Sequence, residues 1–166
     1  MNRYPDCAGR VRPGAKIAVW GALLALELAF AAPANAGHQD TPDSQGVRGI
    51  VSGFQQICTD LDRARSALRT GTISDDEFAD RILDLFVNAD SLQNLLPQVG
   101  WVRSAENSSG TFALSKALRY LVESLRENYV GIAAKNGNDF VEADRAYKAA
   151  VAWRPELEAT AATAAR

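Results

Sequence analysis

Apolar residues recur at alternating intervals of three and four along the chain after residue 46, which is the spacing of amphipathic α-helices. The first stripe predicts a helix over about 46–70 that ends at Gly71 and contains Val47, Ile50, Phe54, Ile57, Leu61, Ala64 and Leu68. A second helix begins with the capping box of Ser74 and Glu77 and ends at Pro97, with a stripe of Phe78, Ile82, Leu85, Ala89, Leu92 and Leu96. The short turn between them predicts an antiparallel hairpin.

Two further stripes follow a Gly- and Ser-containing segment at 97–110, which we interpret as a loop between two hairpins. The third helix ends near Asn136-Gly137 and carries Leu114, Leu118, Leu121, Leu125, Tyr129 and Ile132. The fourth ends at Trp153-Arg154-Pro155 and carries Phe140, Ala143, Tyr147, Ala150 and Val151. The Ala-rich tail at 156–166 has almost no large apolar anchor, so we expect it to fray or to dock weakly.

No run of alternating β-branched residues with hairpin turns predicts a β-sheet. The sequence therefore predicts an all-α fold of two antiparallel helical hairpins. These pack either as a four-helix bundle or as a repeat-like stack.

One segment near the C-terminus has the small and aromatic residues of a known helical repeat. They are the pair Val130-Gly131, the series Ala143, Tyr147 and Ala150, the helix-start aromatic Phe140, and the terminal Pro155. With these residues, 124–157 resembles a single tetratricopeptide repeat (TPR), a helix–turn–helix unit of about 34 residues. Glu127 and Ala134 stand where the family usually has aromatic residues. The resemblance implies a protein-binding surface rather than catalysis.

The N-terminal 36 residues have the pattern of a secretory signal peptide. Four bases precede an apolar run over 17–32, and small residues end the segment at Ala34 and Ala36. The alternative is an uncleaved anchor, but the run is interrupted by Glu27 and is shorter than the roughly 20 apolar residues that span a bilayer. We therefore expect cleavage after Ala36, a periplasmic or secreted protein without a stable membrane span, a flexible leader at 37–46 and a four-helix domain at 47–155.

Charge and composition exclude several classes of function. The chain has 18 Lys and Arg against 20 Asp and Glu, and removal of residues 1–36 leaves 14 against 18. It therefore lacks the excess of basic residues that is typical of nucleic-acid-binding proteins. The only His, His38, lies in the leader, so Cys58 has no candidate base for nucleophilic catalysis. We expect Cys58 to be a buried thiol, with an intermolecular disulfide as the alternative, and we expect no enzyme activity, cofactor or metal site.

The remaining prediction is that the protein acts by binding another envelope or secreted protein, as an adaptor, assembly factor or inhibitor. The alternative is a helical bundle that binds a small apolar ligand or a metal ion between its helices. Aromatic residues anchor protein interfaces, and the candidates here are Trp153, Tyr147, Phe140, Tyr129 and Trp101. Alternatively, these aromatics close the end of the bundle as part of the core.

Overall fold

The computed structural model describes residues 42–165, which form five α-helices and three short 3-10 turns and contain no strand. The all-α prediction is therefore confirmed. The predicted signal peptide at 1–36 and the beginning of the predicted leader lie outside the described residues. None of the described helices is long and apolar enough to cross a membrane.

Helices α1 (Pro42–Arg69) and α2 (Asp75–Leu95) pack against each other as the predicted first hairpin. Helix α1 begins about four residues before the predicted start, because Pro42 is compatible with a first helical turn and the polar residues that follow it do not stop a helix. Gly71 takes the left-handed conformation with φ +67°, as its place at the end of α1 predicts. Ser74 and Glu77 form the predicted capping box.

The second hairpin consists of α3 (Ser108–Ala134) and α4 (Gly137–Val151), which follow the three 3-10 turns at Leu96–Gln98, Gly100–Arg103 and Ala105–Asn107. Lys135 ends α3 in a left-handed conformation with φ 52°. Gly131 is buried, and a β-carbon there would lie 3.2 Å from the Phe140 ring. The small residue therefore lets the two helices approach closely.

The C-terminal tail forms a fifth helix, α5 (Arg154–Ala164), so the expectation that it frays or docks weakly is wrong. Pro155 sits in its first turn, where the missing N–H costs nothing. Leu157 and Thr160 are buried, and the helix packs against α1 and α3. One large apolar anchor and a stripe of small residues are enough to hold this helix.

Each helix packs against its neighbour in sequence from α1 to α4, and α5 contacts both α1 and α3. Most predicted stripe residues of α1, α2 and α3 are buried. Tyr129 is an exception, since 42% of it is exposed and the polar Asn128 beside it is buried instead. The inward face of α3 continues through Leu125, Asn128 and the partly buried Ile132, which keep the spacing of three and four residues.

Candidate functional site

The five predicted partner-binding aromatics lie at three different places. Trp101 and Trp153 line one groove, between the 3-10 turn at Gly100–Arg103, the start of α3, and α5. Phe140 and Tyr147 line a cleft between α1, α3 and α4. Tyr129 faces solvent near the start of α2. The structure thus divides the predicted single surface into two candidate sites and a separate tyrosine.

We call the first site the aromatic groove, which has a volume of about 330 Å³. The sequence predicted that Trp153 lies on the fourth helix. Helix α4 ends at Val151, however, so Trp153 lies in the turn that follows it. Its half-buried ring meets Phe112 edge to face, with ring centroids 5.8 Å apart and an interplanar angle of 76°. Phe112 itself is 54% exposed, so the groove presents one open aromatic ring supported by a second.

Polar bonds and a close backbone approach fix the walls of the aromatic groove. Asn107 donates its side-chain Nδ2 to the carbonyl of Trp101 at 2.9 Å, and Thr111 donates Oγ1 to the carbonyl of Val102 at 3.2 Å. Gly110 brings α3 against both opposing walls, since a β-carbon there would lie 2.7 Å from Trp101 Cη2 and 2.9 Å from Thr160 Cγ2. The groove is therefore built by tight packing rather than by loose loops.

Negative charge dominates the rim of the aromatic groove. Glu106 and Glu156 both line it and are exposed. Lys116, outside the lining, places its Nζ 5.3 Å from the centroid of the Phe112 ring. The groove therefore offers an apolar floor flanked by two carboxylates.

We call the second site the Arg65 cleft, which has a volume of about 530 Å³. Its lining combines apolar, positive and negative side chains from four helices: Asp62, Arg65, Leu68, Arg69, Phe78, Asn128, Phe140, Asp144, Tyr147 and Lys148. Clefts of this size bind small molecules in many proteins.

A buried polar network holds Arg65 at the base of this cleft. Arg65 donates Nε to Asn128 Oδ1 at 3.3 Å and Nη2 to Ser124 Oγ at 3.4 Å. Ser124 in turn donates Oγ to the carbonyl of Ala143 at 2.8 Å, so the network ties α1, α3 and α4 together. Partial burial lowers the pKa of Arg65 from its ordinary value, although the guanidinium stays charged at neutral pH.

Tyr147 forms the wall above Arg65. The Arg65 guanidinium carbon lies 4.8 Å from the centroid of the tyrosine ring, a cation–π contact. The Tyr147 hydroxyl donates to Asp62 Oδ2 at 2.6 Å, and burial together with this bond raises the pKa of Tyr147 far above its ordinary value. The phenol is therefore protonated and acts as a fixed donor. At the rim, an ion pair of 2.7 Å between Asp144 and Lys148 lowers the pKa of Asp144.

Comparison of the chain with protein families, with curated proteins and with solved structures finds no match. The geometry of the two sites therefore carries the functional interpretation.

Cys58 is completely buried in the core, as predicted. Burial raises the pKa of its thiol, and the neighbouring Arg154 only partly offsets that effect. The protonated, inaccessible thiol is not a nucleophile.

Within residues 42–165, no group of three or more His, Cys, Asp or Glu side chains lies close enough together to hold a metal ion.

Several residues of both sites were missed in the sequence. Phe112 lies two residues from Leu114 and therefore off the apolar stripe of α3, which is a signal for an exposed aromatic on a helix. Ser124 and Asn128 follow Leu121 and Leu125 by three residues each, which is core spacing, but their polarity concealed them. Arg65 gives no signal of its own, because a charged residue on an amphipathic helix is usually a surface residue.

Proposed function

We propose that this protein is exported and acts by binding another protein through the aromatic groove, without catalysing a reaction. The observation that carries the proposal is Phe112, which is 54% exposed and is held in place by the edge of Trp153. Large aromatics in a preformed depression are the usual anchors of protein interfaces. Because the walls are tightly packed, little conformational entropy is lost when a partner binds.

The groove favours a partner that inserts an apolar side chain next to a basic one. The apolar side chain would cover Phe112 and Trp153, while Lys or Arg would meet Glu106 and Glu156 at the rim. Charges at an interface rim mainly set specificity and the association rate. We therefore expect association to slow as the salt concentration rises.

Membership of the TPR family is part of this proposal. Its support is local: α3 and α4 form a hairpin, Gly131 meets Phe140 at the crossing, and Ala143 and Ala150 are buried. These are the places that the resemblance assigns to small and aromatic residues. The repeat generally functions in protein binding, which agrees with the use of the aromatic groove.

Export is the other part of the proposal, and it rests on the charge and apolar pattern of residues 1–36. We expect the mature chain to begin at Gly37 in a periplasmic or secreted fraction. N-terminal sequencing of the protein purified from its native envelope or medium tests this. Full-length chain found in the cytoplasm would contradict it.

Capture of the partner by matched variants tests the binding surface. Phe112→Ala removes the exposed ring, whereas Val87→Ala removes an equally exposed apolar side chain from α2, away from the groove. We expect Phe112→Ala to lose the captured partner and Val87→Ala to retain it, with melting temperatures near that of the unaltered protein. Equal capture by both variants would place the interface elsewhere.

A further inference from the structure

Arg65 is a partly buried cation that forms no ion pair within 4 Å among the described residues, and the negative charges of Asp144 and Asp62, both farther away, only partly offset the effect of burial on its pKa. Within residues 42–165, no carboxylate lies within 4 Å of its guanidinium, and its two hydrogen bonds go to the neutral acceptors of Asn128 and Ser124. A guanidinium carries five N–H donors, so three of them have no acceptor in the described part of the chain. A partly buried charge is stabilised most by a carboxylate in direct contact, and no described residue provides that contact for Arg65.

The acids that line the Arg65 cleft are engaged by other donors. Asp62 accepts the hydroxyl of Tyr147 at 2.6 Å, and Asp144 is paired with Lys148 at 2.7 Å. Arg69 lines the same cleft one helical turn after Arg65 and likewise has no carboxylate within 4 Å among the described residues. The cleft therefore contains two cations that form no direct ion pair with a carboxylate of the described residues.

The cleft is also apolar on one side, where the partly exposed Leu68 and Phe140 contribute to the lining. An inorganic anion would leave these side chains uncovered. A ligand that places a carboxylate on Arg65 and an apolar body against Phe140 would satisfy both halves of the cleft. The planar fork of an arginine matches the two oxygens of a carboxylate.

We propose that the Arg65 cleft is a binding site for a small organic carboxylate with an apolar body. In the bound state, the ligand carboxylate accepts from the free N–H groups of Arg65, and Arg69 adds positive charge at the entrance. The site is separate from the aromatic groove, because none of the residues that line one lines the other. The inference therefore goes beyond the proposed protein-binding function and does not depend on it.

The test is calorimetric titration of protein expressed from the full-length sequence, with 4-phenylbutyrate as the probe. Its neutral amide has nearly the same shape, acetate lacks the apolar body, and inorganic phosphate is a bare anion. We expect 4-phenylbutyrate to bind and the other three to bind at least about tenfold more weakly. The amide loses a charge-assisted bond, whereas acetate and phosphate lose the burial of the apolar body. Equal binding of the amide or of phosphate, or no binding of 4-phenylbutyrate at millimolar concentration, would overturn the proposal.

Two arginines of the same helix provide the matched variants. Arg65→Gln removes the charge in the cleft, whereas Arg63→Gln removes an exposed arginine that pairs with Asp60. We expect Arg65→Gln to lower the affinity about tenfold or more and Arg63→Gln to leave it unchanged. Equal affinity in Arg65→Gln and the unaltered protein would overturn the proposal.

A third variant keeps the test valid if Arg65→Gln does not fold. Asn128→Asp provides an internal carboxylate at the atom that already accepts from Arg65 Nε. The variant loses the Nδ2 that donates to the carbonyl of Ser124 at 2.7 Å, so circular dichroism first checks that it folds. In the folded variant we expect 4-phenylbutyrate to bind about tenfold or more weakly, because the internal carboxylate competes with the ligand. If neither variant folds, the comparison of ligands on the unaltered protein decides the proposal. Unchanged affinity in Asn128→Asp would contradict an anion site at Arg65. Phe112→Ala should bind the probe normally, which separates this site from the aromatic groove.

Discussion

Replacing Gly110 with alanine tests how tightly the aromatic groove is built. The new β-carbon would lie 2.7 Å from Trp101 Cη2, 2.9 Å from Thr160 Cγ2 and 3.0 Å from Thr160 Oγ1. Neither neighbour can move without a cost in free energy. Trp101 has a rigid ring, and the β-branched Thr160 donates its hydroxyl to the carbonyl of Glu156. The substitution therefore forces α3 away from the Trp101 turn or from α5.

Two opposing effects set the change in the free energy of unfolding. Overpacking of this kind costs about 1–3 kcal/mol. Alanine regains at most about 1 kcal/mol of helix propensity, and less in the first turn of α3. We expect Gly110→Ala to lower the free energy of unfolding by about 1–2 kcal/mol, which is a fall of roughly 4–8 °C in melting temperature for a domain of this size.

Gly49→Ala is the matched control, because Gly49 lies inside α1 and a β-carbon there meets nothing within 4 Å. Only the helix propensity changes, so we expect stabilisation by about 1 kcal/mol. Thermal unfolding followed by circular dichroism measures both variants. If Gly110→Ala is stabilised as much as Gly49→Ala, the close packing of the groove walls is refuted.

Three further predictions concern the core, the Arg65 cleft and the α2 cap. Leu121 is fully buried, so Leu121→Ala should cost about 2–5 kcal/mol in urea unfolding and Leu121→Asp should abolish the helical circular dichroism spectrum; a folded Asp variant would refute the core assignment. Tyr147→Phe removes the hydroxyl that donates to Asp62 and should cost about 1 kcal/mol; no loss in thermal unfolding would show that the bond contributes nothing. The bond from the Ser74 backbone N–H lowers the pKa of Glu77 below its ordinary 4.5, so its contribution is complete above that value and disappears as the pH falls through the folded pKa. Glu77→Gln should therefore flatten the decline of melting temperature in acid, and an unchanged acid profile would contradict this contribution.

The helices of the fold were predictable because burial imposes a spacing of three and four on apolar residues. Phe54, Leu61, Ile82 and Leu118 all occupy predicted stripe positions and are buried. The caps were predictable for a local reason, since a left-handed Gly71 and a Ser74–Glu77 box depend on neighbours in sequence alone. Helix α5 was missed because its burial depends on distant residues of α1 and α3, which Ala-rich sequence does not reveal.

The candidate sites were only partly predictable for the same reason. The sequence predicts Trp101 and Trp153 as candidate aromatic anchors, but their shared groove results from the close approach at Gly110, over 40 residues from Trp153. The network at Arg65 joins residues about 60 positions apart. Ser124 and Asn128 have the spacing of core residues, but their polarity favours a surface position, and only the packing shows that they lie inside.

The most direct test of partner binding at the aromatic groove is amide hydrogen exchange of the protein, alone and with its captured partner. We expect slower exchange in the complex at the 3-10 turn of Gly100–Arg103, in the first turns of α3 and along α5, with little change on the outer face of α2. Unchanged exchange in those three segments, with protection on another face, would contradict the claim that the groove is the binding surface.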